Sequence, residues 1–187
     1  MSEVREVAVL VGSLRKESLN RKLAGALARL GAQKLTMKIV EIGDLPLYNQ
    51  DLDTSPPAPW TRLRETVRAA DAVLFVTPEY NRSVPGVLKN ALDVASRPYG
   101  HNAWNGKPGA VVSASPGAMG AFGANHHLRQ SLVFVNVPVM AQPEAYVGGA
   151  GELFDESGAL KKETTREFLI AFLAAFGAWI ESNRTPK

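Results

Sequence analysis

The sequence has 187 residues, a length that suits one domain with a sizeable core, and we expect residues 1–187 to form a single domain. Hydrophobic residues make up 45% of the chain, charged residues 21%, and the net charge is only +3. This composition is ordinary for a soluble globular protein and gives no support for nucleic-acid binding. The absence of cysteine excludes disulfides, thiolate nucleophiles and iron–sulfur clusters, so any redox chemistry requires a bound cofactor.

The first predicted unit is a buried parallel strand, Val7–Val11, followed by an amphipathic helix that starts at Leu19 and has Gly31 as its C-cap. The loop between them is rich in groups that bind anions: Ser13, Arg15, Ser18 and Asn20. Free backbone N–H groups at a helix N-terminus favour phosphate, so we predict a phosphate site here. Ser18 acting only as a helix cap remains the alternative.

The second predicted strand is Leu35–Ile42, whose alternation of apolar and polar residues is typical of a sheet edge. Residues 43–59 form a long, proline-containing loop, which either reaches the site or a partner subunit or is a plain surface excursion. A helix opens at Trp60 and leads to the third strand, Asp71–Val76.

The loop after the third strand, residues 77–86, contains a carboxylate, a phenol, an amide, a guanidinium and a hydroxyl. Ligands of doubly wound sheets bind at the carboxyl ends of central strands, so these groups predict a ligand site. A purely structural turn is the alternative. Another helix follows, with an apolar face that contains Leu88 and Leu92.

The fourth predicted strand, Gly109–Ser113, runs into a glycine-rich loop that would let backbone approach a flat ligand closely. A helix over 125–132 follows, then a fifth strand, Val137–Ala141, then a last helix, Thr164–Glu181. His126 and His127 are adjacent on a helix and point about 100° apart, so they cannot chelate one metal ion. We expect no metal site and interpret the histidines as surface or hydrogen-bonding groups.

Alternating strands and helices predict an α/β fold of three layers (αβα), in which helices cover both faces of a five-stranded parallel sheet. In the flavodoxin-like strand order 2-1-3-4-5, the loops after strands one, three and four meet near the switch point of the sheet. Those are the three polar or glycine-rich loops described above.

Three motifs carry a resemblance over nearly the whole chain: the Gly12–Arg15 loop with Ser18 and Asn20, the Pro78–Asn81 loop with the downstream Leu88–Asp93, and Ser115–Gly117. The chain resembles the NADPH-dependent FMN reductase family, especially its bacterial quinone and chromate reductases. The resemblance implies that one set of residues binds the FMN phosphate: Ser13, Arg15, Ser18 and Asn20. A second set would border the flavin ring: Pro78, Glu79, Tyr80, Asn81 and Ser83. A third would close the other side: Ser113, Ser115, Pro116 and Gly117. One departure is Ala121 after Gly120, where the family often has a second glycine.

The resemblance also implies an FMN-dependent oxidoreductase with NADPH or NADH as co-substrate. Hydride would pass from nicotinamide to flavin N5 and electrons then to quinones, chromate, azo or nitro compounds, by a ping-pong mechanism. The flavin carries this chemistry, so we assign no catalytic side chain, although Tyr80 is a candidate gate of the flavin face.

The resemblance further implies a homodimer or homotetramer. Two other functions stay open: a flavodoxin-like electron carrier, which the basic charge disfavours, and an anion-binding hydrolase or transferase without flavin. The N-terminal residues lack the pattern of a signal peptide and no apolar run is long enough to span a membrane. We therefore expect a cytoplasmic protein without membrane contact.

Overall fold

The structure is a computed structural model that describes residues 3–184. The strands are β1 (Arg5–Val11), β2 (Leu35–Val40), β3 (Ala72–Thr77), β4 (Gly109–Ala114) and β5 (Ala145–Val147). The helices are α1 (Leu19–Gly31), α2 (Ala58–Ala69), α3 (Gly86–Ala95), α4 (Phe122–Phe134) and α5 (Glu163–Asn183). All strands are parallel and lie in the order β2-β1-β3-β4-β5, which confirms the predicted fold class and strand order.

Two hydrophobic cores cover the two faces of the sheet, because successive side chains of a strand point to opposite sides. Val7, Val9 and Val11 of β1 pack into the core under α1 and α5. Ala8 and Leu10 pack into the other core, under α2, α3 and α4. Burial on both faces explains why the central strands are almost continuously apolar in sequence. Among the described residues, no helix is long and apolar enough to cross a bilayer.

The prediction of the fifth strand was wrong, because β5 is Ala145–Val147 and not Val137–Ala141. The predicted segment joins the sheet only through a single bridge between Val139 and Gly109. Pro138 lacks the N–H group that a continuous ladder would require. The chain therefore leaves the sheet and returns at Ala145, where β5 pairs with β4.

Smaller differences concern the ends of elements and the long loop. Gly31 is the last residue of α1 and the C-cap is Ala32, so the predicted cap was one residue early. The loop between β2 and α2 contains a short 3₁₀ turn, Gln50–Leu52. Asn90 on α3 fixes this loop, since its Oδ1 accepts a hydrogen bond from Tyr48 N and its Nδ2 donates to the carbonyls of Leu45 and Pro46.

Candidate active site

The carboxyl ends of β1, β3 and β4 lie side by side at one edge of the sheet. Val11 pairs with Val76, and Thr77 pairs with Ser113 one position further along. The N–H of Gly12 continues the ladder by donating to Val76 O at 2.9 Å. This register brings together the beginnings of the three loops that the sequence singled out.

Gly12 allows the first loop to pass close to β3 and α3. A Cβ at this position would lie 3.1 Å from Thr77 Oγ1 and 3.2 Å from both Leu88 Cδ2 and Pro78 Cδ. Three neighbours at these distances would each have to shift by a few tenths of an ångström to admit a Cβ. The glycine therefore determines how the first and second loops pack against each other.

The first loop contains three buried polar side chains and two exposed cations, Arg15 and Lys16. Ser13, Ser18 and Asn20 are each at most 5% exposed, whereas Arg15 is exposed. Ser18 is the N-cap of α1, since its Oγ accepts a hydrogen bond from Arg21 N at 3.1 Å. The capping interpretation of Ser18 is thus confirmed. Because the hydroxyl still has its own proton to donate, the cap does not conflict with anion binding.

Asn20 has an incomplete set of hydrogen bonds in spite of its burial. Its Nδ2 donates to Ala114 O at 3.1 Å and so ties α1 to the end of β4. Its Oδ1 is the one buried side-chain nitrogen or oxygen within residues 3–184 that has no hydrogen-bond partner. A buried acceptor without a partner costs about 1–3 kcal/mol, so this atom fits a site that is completed by a ligand.

The second loop is a tight hairpin over residues 80–83. Tyr80 and Ser83 exchange two backbone hydrogen bonds, of 3.1 and 3.0 Å. Asn81 and Arg82 between them have φ angles of 51° and 64°, the pattern of a type I′ turn. Neither residue is glycine, so the turn holds a conformation that costs energy. The hairpin presents Tyr80, which is 47% exposed, to solvent.

Two contacts attach this hairpin to α4. The Glu79 carboxylate accepts a hydrogen bond from Ala124 N, in the first turn of α4, at 3.0 Å. A negative charge there is stabilised by the positive end of the helix dipole. Ser83 Oγ lies 2.7 Å from His127 Nδ1, one helical turn further along α4. Both contacts support the strained backbone of the hairpin.

Ser113, near the end of β4, fixes the third loop (residues 115–121) by hydrogen bonds from its buried side. Its hydroxyl is fully buried, donates to Gly120 O at 2.7 Å and accepts from Asn125 Nδ2 at 3.1 Å. Ser113 therefore shapes the loop from its interior, while Pro116 and Gly117 are exposed on it. Ala121, where the family often has glycine, adopts the left-handed conformation with φ 62°.

The segment that follows β5 also belongs to this part of the molecule. Ser115 N donates to Val147 O, and Ala150 N donates to Ser115 O. A Cβ on Gly120 would lie 2.6 Å from the carbonyl carbon of Tyr146, so the backbones of the two segments are in direct contact. In the sequence, the glycine at 148 is the signal of this close approach, because a Cβ there would collide with the backbone of Ala118.

The predicted site residues therefore come together, but in different roles. Ser13, Ser18 and Asn20 form a buried polar group at the start of α1, and Tyr80, Asn81, Pro116 and Gly117 lie on the two neighbouring loops. Glu79 and Ser113 are engaged in bonds that fix those loops. His127 was not among the predicted site residues, although both adjacent histidines do form side-chain hydrogen bonds, as expected.

A groove of about 700 Å³ runs between α3 and α4, beginning beside His127. Its lining includes Tyr48, Arg97 and Phe134. Phe134 and the neighbouring Tyr99 are each 90% exposed, an unusual state for aromatic side chains that lie together. This groove lies along the helices rather than over the Ser13–Asn20 loop.

The family model of NADPH-dependent FMN reductases matches residues 5–152, which include β1–β5 and all three loops. This chain belongs to that family. It is therefore a flavoenzyme oxidoreductase that uses FMN as cofactor and NAD(P)H as co-substrate. The incomplete hydrogen bonding of Asn20 and the buried hydroxyls of Ser13 and Ser18 fit a cofactor that carries phosphate and hydroxyl groups.

Close relatives carry consistent names. A quinone reductase from Pseudomonas putida is 64% identical over 185 residues, which cover 98% of this chain and 99% of the relative. A 2-hydroxy-1,4-benzoquinone reductase from a Burkholderia species is 45% identical over 179 residues, which cover 96% of this chain and 98% of that relative. The solved structure of a flavoenzyme NAD(P)H:(acceptor) oxidoreductase from Paracoccus denitrificans is 47% identical, with a TM-score of 0.93 over 97% of this chain and 100% of that one.

Proposed function

We propose that this single-domain protein reduces quinones with electrons from NAD(P)H, by way of bound FMN. The observation that carries the proposal is the buried, unpartnered Asn20 Oδ1 beside Ser13 and Ser18 at the carboxyl edge of the sheet. The quinone substrate is supported by relatives that are named quinone reductases at 45–64% identity over nearly their full length. Chromate, azo and nitro compounds are further acceptors that we include in the proposal.

In this proposal the loop residues divide into those that hold the phosphate and those that border the ring. The phosphate would be bound by Ser13, Arg15, Ser18 and Asn20. The ring would be bordered by Pro78, Glu79, Tyr80, Asn81, Ser83, Ser113, Ser115, Pro116 and Gly117, with Glu79 and Ser113 acting by holding their loops in place.

The residues named above would hold FMN, which would supply the hydride-accepting and electron-donating centre of a ping-pong scheme. The protein's task is then to position the two substrates in turn on one exposed face of the ring. Tyr80 is suited to cover or open that face, because it is 47% exposed on a hairpin that is itself rigidly attached to α4. We assign no acid or base to this chain.

The test is an absorption spectrum of the purified protein, repeated after anaerobic addition of NADPH and then of a quinone. Flavin bands that bleach with NADPH and return with the quinone would support the proposal. Flavin bands that do not bleach would instead indicate an electron carrier that a partner protein reduces. If no flavin bands appear, even after addition of FMN, the assignment of all three loops is wrong.

We also propose that two copies of the chain associate through the groove between α3 and α4. Phe134 and Tyr99 are 90% exposed and Val133 is 73% exposed at or beside this groove, and exposed apolar side chains grouped in this way are typical of an interaction surface. Light scattering coupled to size exclusion would give the oligomeric state, dimer or tetramer, and Phe134→Glu should convert it to monomer. A cytoplasmic location, without membrane or nucleic-acid contact, completes the proposal.

A further inference from the structure

We propose that His127 is a positioning residue for the flavin site: its Nδ1 accepts the Ser83 proton in the neutral Nε2–H tautomer and donates to Ser83 Oγ once the ring is protonated. The inference rests on the proposed function, because it takes Ser83 as a neighbour of the FMN ring. It assigns a role to a histidine that the three cofactor loops do not contain.

The contact between Ser83 and His127 is short and held from both sides. Ser83 Oγ and His127 Nδ1 are 2.7 Å apart. Ser83 belongs to the hairpin whose ends exchange two backbone hydrogen bonds, and the neighbour of His127, Leu128, is fully buried in the core. Both backbones are therefore anchored, which keeps the two side chains within reach of each other.

A serine hydroxyl has one proton and two lone pairs, so whether it donates or accepts a hydrogen bond depends on its partner. When His127 is neutral with its proton on Nε2, Nδ1 is an acceptor and takes the only proton of Ser83. The hydroxyl then offers other groups nothing but lone pairs. When His127 is protonated, Nδ1–H donates to Ser83 Oγ, and the proton of Ser83 is released to another acceptor.

The released proton matters because the polar edge of an isoalloxazine ring presents several acceptors, its carbonyl oxygens and ring nitrogens, and one N–H donor. A donating Ser83 matches more of that edge than an accepting one. We therefore expect FMN to bind more tightly when His127 is protonated. One additional neutral hydrogen bond corresponds to about a fivefold lower Kd.

His127 lies at the edge of the groove between α3 and α4 and shares its surroundings with charges of both signs. The hairpin contributes Glu79 and Arg82, which lie 3.8 Å apart. His126 is the adjacent titratable group on α4 itself. The other titratable groups that line or border the groove beside it are Lys89, Asp93, Arg97, Tyr48 and Tyr99. Lys89 and Asp93 form an ion pair of 2.8 Å on α3.

The experiment measures FMN release from the holoenzyme on dilution, by flavin fluorescence, from pH 5.5 to 8.5. The phosphate of FMN titrates in the same range, so the informative quantity is the ratio of each variant's Kd to that of the wild type at each pH. His127→Gln cannot titrate, and Ser83→Ala removes the hydroxyl. His126→Gln is the matched control, because His126 is the exposed neighbour that bonds Tyr146 instead. Ser83→Thr retains the hydroxyl.

We expect the Kd ratio of His127→Gln and of Ser83→Ala to rise about fivefold as the pH falls through the histidine titration, with the same midpoint in both. His126→Gln and Ser83→Thr should give flat ratios. Nitrogen-15 spectra of the imidazole rings should show the His127 titration at that midpoint in the holoenzyme.

A flat ratio for His127→Gln would overturn the inference, even if that variant binds FMN more weakly at every pH. A pH-dependent ratio for His126→Gln that equals that of His127→Gln would overturn it as well. In both cases the wild type still binds FMN, so the proposed function stands. A wild type that binds no FMN at any pH would overturn the proposed function and this inference together.

Discussion

Replacing Asn20 by Ala should affect cofactor affinity and folding stability differently, because only one of its two polar side-chain atoms has a hydrogen-bond partner. The substitution removes the 3.1 Å bond from Nδ2 to Ala114 O, which costs about 1 kcal/mol. It also removes Oδ1, a buried acceptor without a partner, and so returns about 1–3 kcal/mol. The two effects oppose each other, so the free energy of unfolding of the FMN-free protein should stay the same or rise by up to about 2 kcal/mol.

The affinity for FMN should respond quite differently. Asn20 Oδ1 is an acceptor, so it would take a hydrogen bond from a hydroxyl of the cofactor, and such a neutral bond is worth about 0.5–1.5 kcal/mol. Its loss corresponds to a Kd about two- to tenfold higher. Urea denaturation of the FMN-free protein, followed by circular dichroism, gives the first quantity, and flavin fluorescence quenching gives the second.

Asn90→Ala is the matched control, since Asn90 is also a buried asparagine on a helix but is fully bonded. Its Oδ1 accepts from Tyr48 N at 2.9 Å, and its Nδ2 donates to Pro46 O at 3.1 Å. Its loss should cost about 2–3 kcal/mol of stability and change the FMN Kd much less than Asn20→Ala does. The reasoning is refuted if Asn20→Ala unfolds as readily as Asn90→Ala while its FMN affinity is unchanged.

Three further predictions concern the loops. Ala121→Gly should raise the free energy of unfolding by about 0.5–1 kcal/mol in urea denaturation, because Ala121 has φ 62°; a destabilised variant would contradict the strain argument. Glu79→Gln should lower it by about 0.5–1 kcal/mol, because the charge at the N-terminus of α4 is lost; an unchanged midpoint would exclude that role. Tyr80→Ala should change the stopped-flow rate of flavin reduction by NADPH severalfold while Tyr80→Phe does not; equal rates in both would remove the gating proposal.

The sequence by itself indicated the architecture and the three loops that meet at one edge of the sheet. The apolar runs at Val7–Val11 and Asp71–Val76, separated by helical periodicity, predicted a parallel sheet, and the flavodoxin-like resemblance supplied the strand order that the structure has. These signals are local, since hydrophobic spacing reports which faces of an element are buried. The motif around Pro78–Asn81 added the family, and the strand order placed the three loops at one edge of the sheet.

Only the tertiary structure showed which residues form the fifth strand and which polar side chains of the loops bond to backbone groups. Pro138 weakened a segment that otherwise looks like a strand, and only pairing with β4 shows that residues 145–147 complete the sheet. Glu79 and Ser113 look like ligand contacts in the sequence, yet their bonds are to Ala124 N and Gly120 O.

The contact between Ser83 and His127 spans 44 positions in the chain. Hydropathy patterns carry no information about such a partner, because a polar side chain has the same pattern whether it bonds a ligand, a helix end or water. The hydrogen-bonding role of each polar group depends on which backbone the fold brings within 3 Å of it, and that proximity exists only after the elements have packed.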